Sequence, residues 1–537
     1  RVIKLLCVKN GYAYIGNLKD TENTNIREDI LMEFLMDRQG LTSIQASEAV
    51  RKLKEVAYCA NKDALYNSNK DVYNTLRYPV SVSQGVGLPN KQVWLVDWKD
   101  TYNNIFHIAE EVTVRKQTIG NEHRRPDVVI YINGIALAVI ELKKATVSVD
   151  DGISQNWRNQ QDGEIPNFFS TPQLLLAGSE SQGVYYGTTP TPPKYWLHWK
   201  EPAGDGYPYD NLKLPVSSSI YGPKEYPNEL DRSLMQMLHP DRLLEFLHDC
   251  VVFDGGVKKV ARPNQYFAIV AAKTRIRNKQ SGIIWHSQGS GKSLTMVWLA
   301  QWIRENIDDS RVIIITDRDE LDKQIENGFK DAGEHPVRAK SGDHLIGMLN
   351  GKDRNGNAVK TYPLICTLIH KFGLAGDPEV NESHEKKLRG ERSAEQYLKD
   401  LSERLPEDFK AKGNIFVFVD ECHRTQGGIL NKAMKKIMGE DVMMIGFTGT
   451  PLLKDEKGKL TSRDNFGPWI HTYKFNEAVQ DKVILDLRYE AREVDQELSD
   501  ETSFDELFED TTRNLTPKAK KALQDRWGEM KNLFSSK

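Results

Sequence analysis

The spacing of apolar positions changes character along the chain. Over residues 26–60 they recur at helical spacing, and residues 61–105 that follow show only weak periodicity. Short apolar runs come next. VTVRK (112–116), DVVIYI (127–132) and LAVIEL (137–142) predict strands, with Asn133-Gly134 as the hairpin turn between the last two. QNWRNQQ (155–161) predicts a helix, and QLLLAGS (173–179) and KYWLHW (194–199) two further strands. Residues 201–228 are rich in Pro, Gly, Ser and Tyr, and a domain boundary is expected in or just after them.

From about residue 236 apolar runs of strand length alternate with helical stretches. That alternation predicts a parallel sheet with helices on both faces. The strands are GIIWH (282–286), RVIIIT (311–316), PLICT (363–367), IFVFVD (415–420) and MMIGFT (443–448). Each runs into a polar or glycine-rich motif, and ligands of such sheets bind beyond the carboxyl ends of the strands. The expected organisation is an α/β chain with one domain over 1–235, a second over 236–490, and an acidic linker over 491–537.

Composition narrows the class. A chain of 537 residues allows several cores, and 39% apolar with 28% charged residues and a mean hydropathy of −0.56 excludes a disordered or membrane protein. No run approaches the ~18 apolar residues of a bilayer span, so no membrane partner is expected. Five scattered cysteines without a CxxC pair point to a reducing compartment, with the cytoplasm as the default. The net charge of −3 shows no overall basic bias, but it leaves room for a basic groove. Residues 115–144 hold six Lys/Arg against three acids, whereas 490–510 hold ten acids and one Arg. The first residue is Arg, with no signal-type segment, so the chain reads as a piece of something longer.

HSQGSGKS (286–293) sits between a strand and a helix, the context a phosphate-binding loop requires. Gly289, Ser290 and Gly291 let consecutive N–H groups turn toward phosphate oxygens, Lys292 supplies a point charge, and the Ser293 hydroxyl can ligate Mg²⁺. His286 occupies the position usually held by the first glycine. In IFVFVDECHR (415–424), Asp420 at the strand end is placed to hold Mg²⁺, and Glu421 to orient or deprotonate the attacking water. Thr448-Gly449-Thr450-Pro451 ends a third strand. Together these point to ATP hydrolysis.

HSQGSGKS, DECH and TGTP resemble motifs I, II and III of superfamily 2 helicases and translocases. The resemblance implies that Gln265, in Arg262-Pro263-Asn264-Gln265, reads adenine. It also implies that His423 relays nucleotide state to the third motif, and that TDRDELDKQ (316–324) and Thr367 face nucleic acid. It further implies two RecA-like domains with ATP between them. Only about 85 residues follow Thr450, with no second sheet, so weak nucleotide binding and poor hydrolysis are expected of the chain alone.

A second constellation lies upstream in RRPDVVIYINGIALAVIELKKA (124–145). Residues two apart in a strand face one side, so Glu141 and Lys143 project together. Antiparallel pairing through Asn133-Gly134 places Asp127 opposite Ile140, beside Glu141. Two such carboxylates could share Mg²⁺ while Lys143 positions a water against a phosphate. Phosphodiester hydrolysis suits this arrangement. The residues resemble the PD-(D/E)xK nucleases, and Gln155 resembles the first residue of the QxxxY element of the RecB-type branch, with Asn159 at the Tyr position. Aromatic residues at 195–199 fit strand core better than a base-stacking surface, and Cys422 fits a small buried filler.

A PD-(D/E)xK nuclease pattern followed by a motor, with DECHR and GFTGTP in these forms, resembles the restriction (R) subunit of Type I restriction-modification enzymes. The resemblance implies ATP-dependent translocation of double-stranded DNA, Mg²⁺-dependent cleavage, and modification and specificity subunits as partners. It implies also an upstream acidic residue and a C-terminal assembly region that no position here carries. The alternatives are an ATP-dependent repair nuclease-helicase, or a translocase whose nuclease-like domain only binds DNA.

Overall fold

The computed structural model describes residues 1–201 save 119, 228–368 save 317–318 and 354–355, then 411–422, 434–439, 442–453 and 461–487, with scattered shorter pieces. Seven strands form the first sheet. They are β1 (Ala13–Asn17), β2 (Phe106–Glu110), β3 (Val128–Ile132), β4 (Ile135–Lys143), β5 (Leu174–Ser179), β6 (Gly183–Gly187) and β7 (Leu197–His198), in spatial order β1 to β7. All five residues of β3 and the first seven of β4 are buried, which is why they read as unbroken apolar runs. Two helices frame the sheet: α1 (Lys62–Arg77), capped by Asn61, and α2 (Val149–Asn159), capped by Ser148.

Asn133 (φ 52°) and Gly134 (φ 81°) make the β3–β4 turn, whose twist requires positive φ at both positions. A Cβ on Gly134 would stand 2.5 Å from the Arg27 carbonyl oxygen, so the turn is packed as well as bent. The pairing departs from the expected register. Next to the turn Ile132 faces Ile135, but a bulge then shifts the ladder and Val128 faces Ile140. The ladder is thereby moved on by one residue, bringing Asp127 toward Glu141 rather than Ile140.

KYWLHW departs from the expected strand as well. Pro193–Tyr195 form a tight helical turn after Pro192, because proline withholds the N–H a ladder needs, and only Leu197–His198 pair with β6. Trp199 is buried against Tyr186, Phe246, Tyr266 and Phe267, and so belongs to the core. VTVRK shortens to Val114–Arg115, paired with His123–Arg124.

Helix α3 (Pro240–Asp249) leads into a hairpin of β8 (Val251–Asp254) and β9 (Val257–Val260), then helix α4 (Pro263–Arg277). The second sheet contains β10 (Gly282–His286), β11 (Ser310–Thr316), β12 (Val337–Arg338), β13 (Leu364–Leu368), β14 (Asn414–Asp420), β15 (Met443–Thr448) and β16 (Trp469–Tyr473). Every pair is parallel, in the order β12-β13-β11-β14-β15-β10-β16. Helix α5 (Lys292–Asn306) follows β10. The carboxyl ends of β10, β14 and β15 therefore meet at one rim.

Arg1–Val483 forms one compact unit that contains both sheets, and Ile484–Lys537 forms another. Within the first, a single apolar core runs from Leu137 and Leu176 through Tyr186 and Phe246 to Ile284 and Phe418. Polar contacts cross the same ground. Arg77 of α1 pairs with Glu305 of α5 at 2.8 Å, and the Tyr73 hydroxyl donates to the Leu247 carbonyl at 3.1 Å. The segment 202–227 lies outside the described residues. Among the described residues no helix is long and apolar enough to cross a membrane.

Lys273 of α4 is almost wholly buried and is held by Glu245 at 2.9 Å and by Asp249 of α3. Burial alone would raise the Asp249 carboxyl, but the Lys273 charge and the His248 contact hold it well below the ordinary carboxylate range. A depressed carboxyl lends stability that is present above its unfolded value and lost as pH falls through the folded one. Asp249→Asn is expected to cost about 3 kcal/mol at neutral pH in urea unfolding and to flatten the loss of stability in acid. An unchanged midpoint would contradict this account of the α3–α4 contact.

Candidate active sites

Asp127 stands just before β3, half-buried, and one carboxylate oxygen accepts the Leu142 N–H at 2.8 Å. Glu141, near the end of β4, is fully buried; no N–H or hydroxyl donates to its carboxylate oxygens, and its hydrogen-bonding neighbour is the Asp127 carboxyl. Burial, with the adjacent Asp127 charge second, pushes the Glu141 carboxyl well above the usual range. Lys143 shares its side of the strand. Its Nζ lies 3.9 Å from Glu141 Oε2 and donates to Gln155 Oε1 at 2.8 Å.

Helix α2 lies close over β4. A Cβ on Gly152 would meet Ala177 Cβ at 3.2 Å and Glu141 Cβ at 3.5 Å, so glycine there sets the approach that lets Gln155 reach Lys143. The structure thus brings Asp127, Glu141, Lys143 and Gln155 together. Asn159 is one turn further along, buried and with its amide unpaired, while Arg158 points to solvent. Paired hard oxygen donors, two of them with no N–H or hydroxyl donating to them, fit a divalent cation. Among the described residues no cluster of three or more metal-ligating side chains occurs, which leaves water and substrate oxygens to complete a coordination shell.

The second site lies at the rim of the parallel sheet. Gly289 (φ 80°) and Gly291 (φ 91°) take left-handed conformations that residues with a Cβ rarely adopt, and a Cβ on Gly291 would also run into the Gln265 amide. Ser290 is buried and its hydroxyl donates to the Ser287 carbonyl at 2.5 Å, so it shapes the loop. Lys292 Nζ lies 3.6 Å from Glu421 Oε1. Ser293 is exposed at the start of α5. Asp420 is buried at the end of β14, and Glu421 after it takes φ 45°, a strained value for a residue with a side chain. Gly449 closes over the loop: a Cβ there would stand 3.1 Å from the Gln288 nitrogen and 3.6 Å from Lys292 Nζ.

Gln265 is nearly fully buried and both ends of its amide are engaged by the chain. Oε1 accepts the Arg262 N–H at 2.9 Å, and Nε2 donates to the Gly291 carbonyl at 2.9 Å. His286 is buried against His471 of β16, with His286 Nε2 and His471 Nδ1 2.9 Å apart. Burial lowers both imidazoles, His471 to about 4, so at neutral pH one neutral ring donates to the other. No motif marked His471 or the Tyr473 carbonyl, which accepts the Ser287 N–H at 2.9 Å; only the parallel neighbour strand brings them in. Thr367 is buried with its hydroxyl unpaired, and Thr316 donates to Asp322 at 3.4 Å. His423 and residues 317–318 lie outside the described residues.

Two family models match separate stretches of the chain. Residues 1–194 match the family described as Type I restriction enzyme R protein N terminus, and residues 264–521 match the SWI2/SNF2 ATPase family. Curated relatives include the endonuclease subunit of Methanocaldococcus jannaschii named for the type I restriction enzyme MjaIXP. It is 26% identical over 465 residues, covering 82% of this chain and 40% of that protein. The endonuclease subunit of the type I restriction enzyme HindI from Haemophilus influenzae is 25% identical over 504 residues, covering 85% and 43%. The chain thus spans about two fifths of the length of these relatives. Among solved structures, the Type ISP restriction-modification enzyme LlaBIII bound to DNA aligns over 42% of this chain and 16% of its own, at 13% identity and a TM-score of 0.28. Residues 1–194 are thus similar to the N terminus of Type I restriction enzyme R proteins, and residues 264–521 to the SWI2/SNF2 ATPases.

Proposed function

We propose that the chain carries the nuclease and the first motor portion of a Type I restriction enzyme, coupling ATP-driven translocation of double-stranded DNA to Mg²⁺-dependent phosphodiester cleavage. In the full assembly it works in the cytoplasm beside modification and specificity subunits. The observation that carries this reading is Glu141, a buried carboxyl to which no N–H or hydroxyl donates, set against Asp127 and Lys143 in the same compact unit as the Lys292–Glu421 pair.

At the first site Asp127 and Glu141 would hold the cation, which when bound neutralises phosphodiester charge and acidifies a water. Lys143, anchored by Gln155, presents its ammonium to the scissile phosphate and to the attacking water. At the second, the Gly289–Ser293 N–H groups receive the phosphates of ATP and Lys292 exchanges Glu421 for the β/γ oxygens. Ser293 and Asp420 would hold Mg²⁺, and the released Glu421 orients the attacking water. To read adenine, Gln265 would have to release one of its bonds to Arg262 and Gly291, and His423 is the candidate relay residue.

In the assembled complex, Asp127→Ala, Glu141→Ala and Lys143→Ala should each lower DNA cleavage by at least about 100-fold while ATP turnover stays within about twofold. Lys292→Ala should remove both activities. Cleavage that survives all three carboxylate-site variants would leave the first sheet as a DNA-binding or scaffolding element only.

A readout without catalysis separates the two roles of Glu141. A carboxyl whose folded value is raised lends stability that is fully present in acid and lost as pH rises through that value. In EDTA, Glu141→Gln should therefore be more stable than the parent at pH 8, with the gap closing toward pH 4. Millimolar Mg²⁺ should raise the melting temperature of the parent and leave that of Glu141→Gln unchanged. A variant less stable than the parent at every pH in EDTA would contradict the assignment of a strained, cation-ready carboxyl.

A further inference from the structure

One peptide group joins the nuclease-type sheet to the phosphate loop. Tyr186 lies on β6, fully buried, with its ring wedged edge-on against Trp199 and Phe246 at centroid separations of 5.7 and 5.9 Å. Its hydroxyl donates to the Ala261 carbonyl at 2.7 Å. The N–H at the other end of that same peptide, on Arg262, donates to Gln265 Oε1 at 2.9 Å, and Gln265 Nε2 donates to the Gly291 carbonyl at 2.9 Å. Tyrosine hydroxyl, peptide, side-chain amide and loop carbonyl form one unbroken run of donors and acceptors.

Tyr186, Ala261 and Gln265 are each at most 3% exposed, so water cannot replace a missing member. In such a run each hydrogen bond polarises the next. The segment that delivers the shared peptide is gripped from the same side. Lys258 Nζ on β9 donates to Asn69 Oδ1 of α1 at 2.7 Å and to Gln173 Oε1 at 2.6 Å, and the Gln173 N–H is itself bonded to the Leu137 carbonyl of β4 at 2.8 Å.

The far end bears on nucleotide. The Gly291 carbonyl also accepts the first helical bond, from the Thr295 N–H at 3.2 Å. A trans peptide points its N–H opposite its carbonyl, so holding the Gly291 oxygen toward Gln265 and α5 turns the Lys292 N–H toward the phosphate cradle. We propose that Tyr186 is a positioning residue for the nucleotide site. Through the Ala261–Arg262 peptide and Gln265 it fixes the loop that receives phosphate, and the nuclease-type sheet thereby sets the affinity of the motor for ATP. The inference rests on reading Gly289–Ser293 as an ATP site.

The test is steady-state ATP turnover of the assembled complex as a function of ATP concentration. Tyr186→Phe removes one hydroxyl and keeps the ring. It should raise KM for ATP about threefold to tenfold, with kcat within about twofold, because Lys292, Asp420 and Glu421 are untouched. Lys258→Met should raise KM in the same direction and serves if Tyr186→Phe does not fold. Gln265→Ala cuts the run nearer the loop, so adding Tyr186→Phe to it should raise KM no further. An unchanged KM in both Tyr186→Phe and Lys258→Met, or fully additive effects in the double variant, would overturn the inference. Lys292→Ala is the separate control: continued turnover there overturns the ATP site itself, whereas silence there with an unchanged KM in Tyr186→Phe refutes only the relay.

Discussion

Burying a polar group without a compensating hydrogen bond costs roughly 2–7 kcal/mol, and a carboxylate to which no N–H or hydroxyl donates more, so Glu141 is a position the fold must hold against its own preference. The means of holding it are visible. Nine-residue β4 is buried on both faces up to Glu141, flanked by β3 and β5, and α2 presses on it at Gly152. Burial and the neighbouring Asp127 charge hold its carboxyl well above the ordinary range, so it gives up its proton less readily than an exposed glutamate. A divalent cation arriving beside Asp127 would displace that proton and turn the cost into affinity. Strain of this kind is common where binding rather than stability is served.

The rim of the parallel sheet answers a similar problem with a different device. Lys292 rests near Glu421, a cation against the carboxyl that the proposed reaction needs free. On the proposed reading, entry of a triphosphate would supply a better partner for the lysine and release the acid, so that one exchange of contacts would link occupancy to readiness. The all-parallel order, with β10 between β15 and β16, makes this possible, because three strand ends and the His286–His471 pair converge at one rim.

What could be read from residues alone follows the physics of burial. MMIGFT and GIIWH match β15 and β10 because a doubly covered parallel strand is apolar throughout and bounded by its motif. That same uniformity hid the bulge in β4: with both faces buried, no polar residue marks the register, and Leu137 can be extruded without any change of pattern. Glu141 and Lys143 shared a face by simple alternation. Ala13–Asn17 and Phe106–Glu110 mix exposed, glycine and polar positions and gave no strand signal. The motif resemblance marked Gln265 as a candidate adenine reader, but its bond to Gly291 was not legible, and Tyr186 lies 75 positions from the peptide it holds. Contacts of that separation leave no trace in local periodicity.

On the proposed reading, one chain holds two separate sites for divalent metal and phosphate. Counting bound Mn²⁺ by its paramagnetic signal tests it directly. The account predicts one ion per chain without nucleotide, lost in Asp127→Ala/Glu141→Ala, and a second that appears only with ATP and is lost in Lys292→Ala. A single ion that depends on both sets of residues, or none without nucleotide, would contradict it.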